Sequence, residues 1–540
     1  MKKRWTFALL MLVVMAALAL RLPRLDQRPM HGDEAIHAVK FSTLWQAGQY
    51  QYDPTDYHGP TLYYFTLPAV WLDEARDFAH TRELDYRIVT ALFGAGLILL
   101  LWPIAEGLAP PATLCAGVLT ALSPAMSFYS RYYIQEMLLV VFTFALIVCG
   151  WRYVRTRSPA WAILAGLSMG LMHATKETDV IAWFAMVIAL AGTLAWGRWI
   201  DRKPVNIRPW LNWRVLGLSL LAGLAVAFVL LSGCFTHLRG PLDSVFTYGS
   251  YLHRSGGAGI HDQPWDFYLQ TLLYTHLARG PVWTEGLILG LAGVGLAAVV
   301  LRRGLGGANV SLVRFLAIYT LVMTAVYSLI PYKTPWCMLS FLQGMILLAG
   351  LGAAALVRWA PTRPVKLIIA LILSAGACQL GVQAYRANFQ FEADPRNPYV
   401  YAQPVRDVFH LVQRVQDVAC VHPASQAMPI TVIAANSDYW PLPWYLRSYA
   451  NVGYWNHPPA QPDAAMVIVS PSSLPALAGK LRDAYNASPA GDNEPNGESF
   501  GLRPGVPLLA YTRADLWQAM VQGMQPAPST NAPAGESGQP

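Results

Sequence analysis

Charged residues are scarce in this chain. Only 13% of its 540 residues are Asp, Glu, Lys or Arg, against 54% hydrophobic ones, and soluble domains carry about twice that charge density. An ordinary cytosolic enzyme is therefore excluded. Paired cysteines are missing too. The six (Cys115, Cys149, Cys234, Cys337, Cys378, Cys420) are scattered with no CxxC spacing, which argues against a disulfide framework or zinc cluster and for small buried hydrophobes. There is no Gly-rich nucleotide cradle and no D-x-D between soluble strands, so a soluble nucleotide-sugar donor is disfavoured. No internal repeat is visible. The net charge of +8 does not mark a nucleic-acid partner, because the excess cations sit in short segments between apolar runs.

Those runs are what the chain has in abundance. Each is close to the roughly 20 residues that cross a hydrocarbon core of about 30 Å as a helix. The first spans Trp5 to Leu20; Ala17-Leu-Ala19 resembles a signal-peptide cleavage site, but the many later spans favour a retained helix. Others lie near 88–106, 112–129, 136–151, 160–174, 179–197, 215–233, 282–301, 312–330, 338–357 and 367–385, giving eleven in all. Basic clusters flank the first span and follow the fourth, sixth, eighth and tenth. With eleven alternating crossings all five fall on one side, which the positive-inside rule makes cytoplasmic. The expectation is a multi-pass plasma-membrane protein with its N-terminus in the cytoplasm and its C-terminal domain outside.

The fold class expected is a polytopic α-helical membrane protein over 1–387, with a small extramembrane α/β domain over 388–523. The β-like runs Ile430–Ala434 and Ala465–Ser470 and the helical stretch 405–418 suggest that domain. Residues 524–540 read as a disordered tail of Pro, Ala, Ser, Gly and Asn. Two long outer loops, 21–87 and 234–281, collect the polar motifs.

The most informative motif is His31-Gly-Asp-Glu-Ala-Ile-His37. Adjacent carboxylates beside a membrane are costly to place without a use. On a helix Asp33 and His37 share a face, while Glu34 points about 100° away, so only one carboxylate faces a given substrate. The plainer alternative is a solvated loop with a helix cap. The pattern half resembles the zinc-protease H-E-x-x-H, but Asp33 occupies the first histidine's place. Downstream, Tyr57 and His58 lie in a polar turn leading to an aromatic stretch, and flat rings suit stacking on a sugar. Three further clusters each put a cation at the outer interface: Arg131 with Glu136, Lys176 with Glu177, and Lys333 beside Trp336. Snorkelling explains any one of them. Together they would suit a phosphate whose lipid tail lies in the bilayer.

These parts imply sugar transfer from a polyprenyl-phosphate donor. Asp33, with Glu34 as the neighbouring acid, would take the acceptor hydroxyl's proton. Arg131, Lys176 and Lys333 would hold the departing phosphate. His37, Tyr57, His58 and Glu136 are the remaining substrate-binding candidates. A single acting carboxylate implies displacement with inversion.

The chain resembles the polytopic GT-C glycosyltransferases, nearest the dolichyl-phosphate-mannose protein mannosyltransferases and the aminoarabinose transferases. Asp33 and Glu34, the Ser130-Arg131…Glu136 segment and the many-span plan carry the likeness. H-G-D-E-A-I-H-A, D-Y-H-G-P, Y-K-T-P-W-C and D-P-R-N-P-Y-V-Y look like a prokaryotic subfamily whose label ties it to flippase activity. The resemblance implies that Asp33 acts as base or positions the acceptor, and that Arg131 meets donor phosphate. Lys176 and Lys333 have no family counterpart. It implies no required cofactor, with a divalent metal left open by His31 and His37. The partners implied are the lipid-linked donor, the bilayer and a glycan, lipid or protein acceptor, with no nucleic acid. The competing readings are a lipid-linked sugar transporter or flippase and a non-catalytic member of a cell-envelope assembly.

Overall fold

The computed structural model describes residues 3–524 apart from 56–57, 205, 255–258, 260, 460–462 and 486–496. Tyr57 and the tail 525–540 lie outside the described residues. The chain divides into two units, Met1–Gln403 and Pro404–Pro540.

The first unit is helical. Among the described residues eight helices are long and apolar enough to cross a membrane: Arg4–Arg21, Glu83–Leu108, Glu136–Thr156, Asp179–Ile200, Trp213–Leu231, Val310–Leu329, Pro335–Trp359 and Arg363–Phe389. The other three of the eleven expected spans are helices too, but shorter: Pro110–Leu122, Pro159–His173 and Gly286–Leu301. Pro124 stops the first of these, because the residue before a proline is pushed out of the helical region and Ser123 sits at ψ 122°. In the last, Trp283 pairs with Thr275 in an isolated bridge, so the helix starts only at Gly286. Thirteen residues reach about 20 Å, short of a full hydrocarbon core.

Close packing of small residues joins these helices. A Cβ on Gly352 would stand 2.0 Å from the Leu291 carbonyl, so Leu339–Trp359 and Gly286–Leu301 touch backbone to backbone there. The connections sort into two sets. At one end Asp201 receives Arg314 at 2.7 Å and also Arg302, while Arg358 donates to the Gly304 carbonyl. At the other end, segments near 23–60, 131–135, 174–177, 263 and 331 hydrogen-bond one another. Arg302, Arg314 and Arg358 thus gather at the end opposite the acidic motif.

The helical unit runs past the expected boundary at 387. Residues 388–403 belong to it because Tyr129 donates to the Tyr399 carbonyl (2.7 Å), Trp283 to that of Arg396 (2.8 Å), and Tyr399 to buried Glu285 (3.1 Å).

The second unit is an α/β domain. Strands β1 (Ile430–Ile433), β2 (Val452–Trp455), β3 (Met466–Val469), β4 (Glu498–Arg503) and β5 (Val506–Thr512) form one sheet in the order β2-β1-β3-β5-β4. β1 pairs in parallel with β2 and β3, and β5 pairs antiparallel with β3 and β4. β3 is buried along its whole length, as expected for a strand covered on both faces. Val408, Leu411 and Val415 with Leu516 and Met520 cover one face, and Leu477, Leu481 and Tyr485 the other.

Candidate active site

Helix α1 (Lys3–Arg21) leads through a short turn to helix α2 (Gly32–Ala47). The start of α2 is fixed by reciprocal capping. His31 Nδ1 accepts from the Asp33 N–H at 3.1 Å, and Glu34 accepts from the His31 N–H at 2.9 Å. Two acids in the first turn also suit the positive end of the helix.

The two acids then take different environments. Glu34 is fully buried. It receives Arg87 through both oxygens (2.8 and 2.7 Å), Arg28 at 3.0 Å and the Tyr133 N–H at 2.9 Å. Burial raises this carboxyl, but the charges of Arg87 and then Arg28 outweigh it and hold it well below the usual range. Glu34 is therefore a buried clamp, which corrects its expected place among the reacting groups. Its lone pairs are taken, and Arg87 also grips the carbonyls of Leu25, Arg28 and Pro29 ahead of α2.

Asp33 is only half-buried, and among the described residues no side chain bonds or pairs with its carboxylate. Rings from distant segments pack about the neighbouring His31. His31 lies 5.8 Å from Tyr132 and 5.6 Å from Trp336, and its Nε2 meets the Tyr401 carbonyl at 2.9 Å. Trp336 stands 5.8 Å from Tyr401. Burial and the nearby Asp33 charge push the Tyr401 phenol up. Both ring nitrogens of His31 are engaged, so it does not fit the metal role left open for it.

One turn along α2, His37 faces a second polar group. Its Nδ1 meets Tyr63 Oη on helix α3 (Thr61–Leu72) at 3.1 Å, and its ring lies 5.8 Å from that of His58. Burial, then the charges of His58, Lys40 and Lys176, hold its imidazole well below its ordinary value and hence neutral at pH 7. His58 is anchored by Glu177, which accepts from its N–H (2.9 Å) and pairs with Nδ1 (3.3 Å). Burial raises Glu177, yet His58 and a 2.7 Å bond from Tyr52 bring it down to about 2. His58 sits at φ 77°, a strained conformation of about 1–3 kcal/mol that recurs at functional sites. Gly59 makes this docking feasible, because a Cβ there would lie 2.0 Å from the Ala174 carbonyl.

The three expected phosphate cations do not form one set. Arg131 donates to the carbonyls of Arg21 and Pro23 (2.7 Å each) and Arg24 (3.1 Å), which places it as a cap on α1. Lys333 donates to the Ile330 and Gln263 carbonyls at 2.5 and 3.0 Å. Lys176 pairs with buried Glu136 and is close enough to His37 to affect its titration. Of the three, Lys176 is the one the structure ties to the α2 face. Sequence reasoning missed Arg28, Arg87, Tyr132, Glu177 as an anchor, and Tyr401. The D-P-R-N-P-Y-V-Y motif signalled Tyr401, the Ser130-Arg131…Glu136 segment contained Tyr132, and the Lys176 cluster contained Glu177.

Residues 77–229 match the family model of dolichyl-phosphate-mannose-protein mannosyltransferases, a stretch that begins after Asp33. No curated protein sequence matches the chain. The fold is similar to that of ArnT from Cupriavidus metallidurans bound to undecaprenyl phosphate, with TM-score 0.62 and 15% identity over 94% of this chain and 98% of that one. It is also similar to an oligosaccharyltransferase from Archaeoglobus fulgidus, with TM-score 0.52 and 12% identity over 85% and 65%.

Proposed function

We propose that this chain, a multi-pass membrane protein with the GT-C glycosyltransferase fold, moves a sugar from a polyprenyl-phosphate donor to an acceptor hydroxyl. The motif end of the bundle would face the exocytoplasmic side of the plasma membrane. The observation that carries the reading is the pairing of a clamped Glu34 with an Asp33 whose carboxylate has no partner among the described residues, on a rigidly capped helix. A carboxylate held in place but left without a hydrogen bond suits a general base.

In this reading the acceptor oxygen attacks the anomeric carbon while its proton passes to Asp33. The bond from that carbon to the phosphate oxygen breaks, and polyprenyl phosphate leaves with the electron pair. One displacement inverts the anomeric configuration. Lys176, released in part from Glu136, and His58 would hold the leaving phosphate. The dolichyl-phosphate-mannose family match and the undecaprenyl phosphate bound by ArnT support a lipid-phosphate donor.

The test is reconstitution in lipid vesicles with labelled polyprenyl-phosphate sugars and an envelope-glycan extract. Acceptor-dependent release of polyprenyl phosphate, with inverted linkage in the product, is the expected result. Movement of the intact lipid-linked sugar across the bilayer without transfer would contradict it.

A further inference from the structure

A cleft of about 600 Å³ opens beside α2, between the loop that follows the helix and the segment leading into Gly240–Arg254. Nothing in the proposed chemistry uses it. Its rim carries Thr43, Gln49, Gln51 and Asp53, all exposed. Lys40 and Arg239 supply positive charge, and Asp53 and Asp243 negative. Arg239 Nε donates to Asp243 at 3.0 Å, so the lining is balanced in charge. Amides, a hydroxyl and charge-balanced polar groups are the chemistry that hydrogen-bonds sugar hydroxyls.

The cleft is wired to the candidate site. Tyr52, in its lining, donates to the same Glu177 that anchors His58. Tyr50, also in its lining, lies 5.8 Å from Tyr63, the partner of His37. Asp33, His37 and Lys40 fall on one face of α2 at i, i+4 and i+7. At the helical rise, Lys40 is about 10 Å along the axis from Asp33, a distance that two sugar rings cover. Every lining residue except Pro54 carries a polar or charged group, which favours a hydroxyl-bearing occupant over a polyprenyl tail.

We infer that this cleft is the acceptor subsite and that the acceptor is a neutral glycan, its terminal hydroxyl reaching Asp33 while the next sugars lie against Gln49, Gln51 and Arg239. The inference rests on the reading of Asp33 as the base.

The experiment measures binding, so it does not depend on turnover. Mannotriose, maltotriose, chitotriose and, as an anionic comparison, trigalacturonic acid are titrated against the full chain in lipid nanodiscs by saturation-transfer NMR. At least one neutral trisaccharide should bind, binding should persist in Asp33→Asn, and Thr43→Trp and Gln51→Trp should each weaken it about tenfold or more. Both tryptophans are placed at exposed positions, and two variants guard against one that fails to fold. The inference is overturned if no neutral trisaccharide binds, if both fillings leave binding unchanged, or if only the anionic one binds. A chain that binds a neutral trisaccharide in this cleft yet transfers nothing would sink the transferase reading and leave the glycan subsite standing.

Discussion

Exchanging Glu34 for glutamine should unfold the protein more readily than the same exchange at Asp33 next to it. Glu34 receives a two-point contact from Arg87, a third from Arg28, and two backbone N–H groups. Glutamine offers one acceptor oxygen, turns an NH2 toward a guanidinium, and leaves two buried positive charges unbalanced. Removing one member of a buried ion pair costs about 3–5 kcal/mol. Among the described residues Asp33→Asn removes no side-chain hydrogen bond or ion pair, and it loses only the charge at the helix start, about 0.3–1 kcal/mol. Thermal unfolding of the detergent-solubilised chain, followed by size-exclusion recovery, reads the difference. E34Q should lose several degrees in apparent Tm, and D33N should match the parent. An E34Q protein as stable as the parent, or a D33N protein that unfolds early, would refute the assignment of clamp and base.

Other outcomes follow from the same geometry. Arg131→Met removes three charge-assisted bonds to the turn after α1, each worth about 1.5–3 kcal/mol; it should lower stability without raising the donor KM, and a selective KM increase would return Arg131 to phosphate binding. Lys176→Met alone should cost about 3–5 kcal/mol, whereas Lys176→Met with Glu136→Leu should recover most of that and still lack transfer. Glu177 has a folded value of about 2 against its ordinary 4.5. Its contribution, about 3 kcal/mol at 1.36 kcal/mol per unit, is fully present above pH 4.5 and disappears as pH falls toward 2. Denaturation midpoints between pH 6 and 3 should therefore fall more steeply for the parent than for Glu177→Gln.

Much of the scaffold was legible in the sequence because hydrocarbon-length apolar runs need no tertiary partner to be recognised. The sorting of Arg302, Arg314 and Arg358 to the end opposite Asp33 followed from charge alone. The divergence of Asp33 and Glu34 was legible too, because 3.6 residues per turn fix it. What stayed hidden depends on contacts across the chain. Glu34 is a clamp only because Arg87, 53 residues away, reaches it, and His58 is held by Glu177 at a separation of 119. Arg131 and Lys333 looked like free cations because backbone carbonyls that satisfy a cation leave no signature in residue type. Two spans read too long because hydropathy does not register the stop at Pro124 or the bridge at Trp283.

The most direct measurement is single-turnover sugar transfer by the Asp33→Asn protein in vesicles loaded with polyprenyl-phosphate sugar, beside the parent. The rate should fall by about 10²–10⁴, with donor affinity and Tm unchanged. Transfer at the parental rate by this variant would contradict the account.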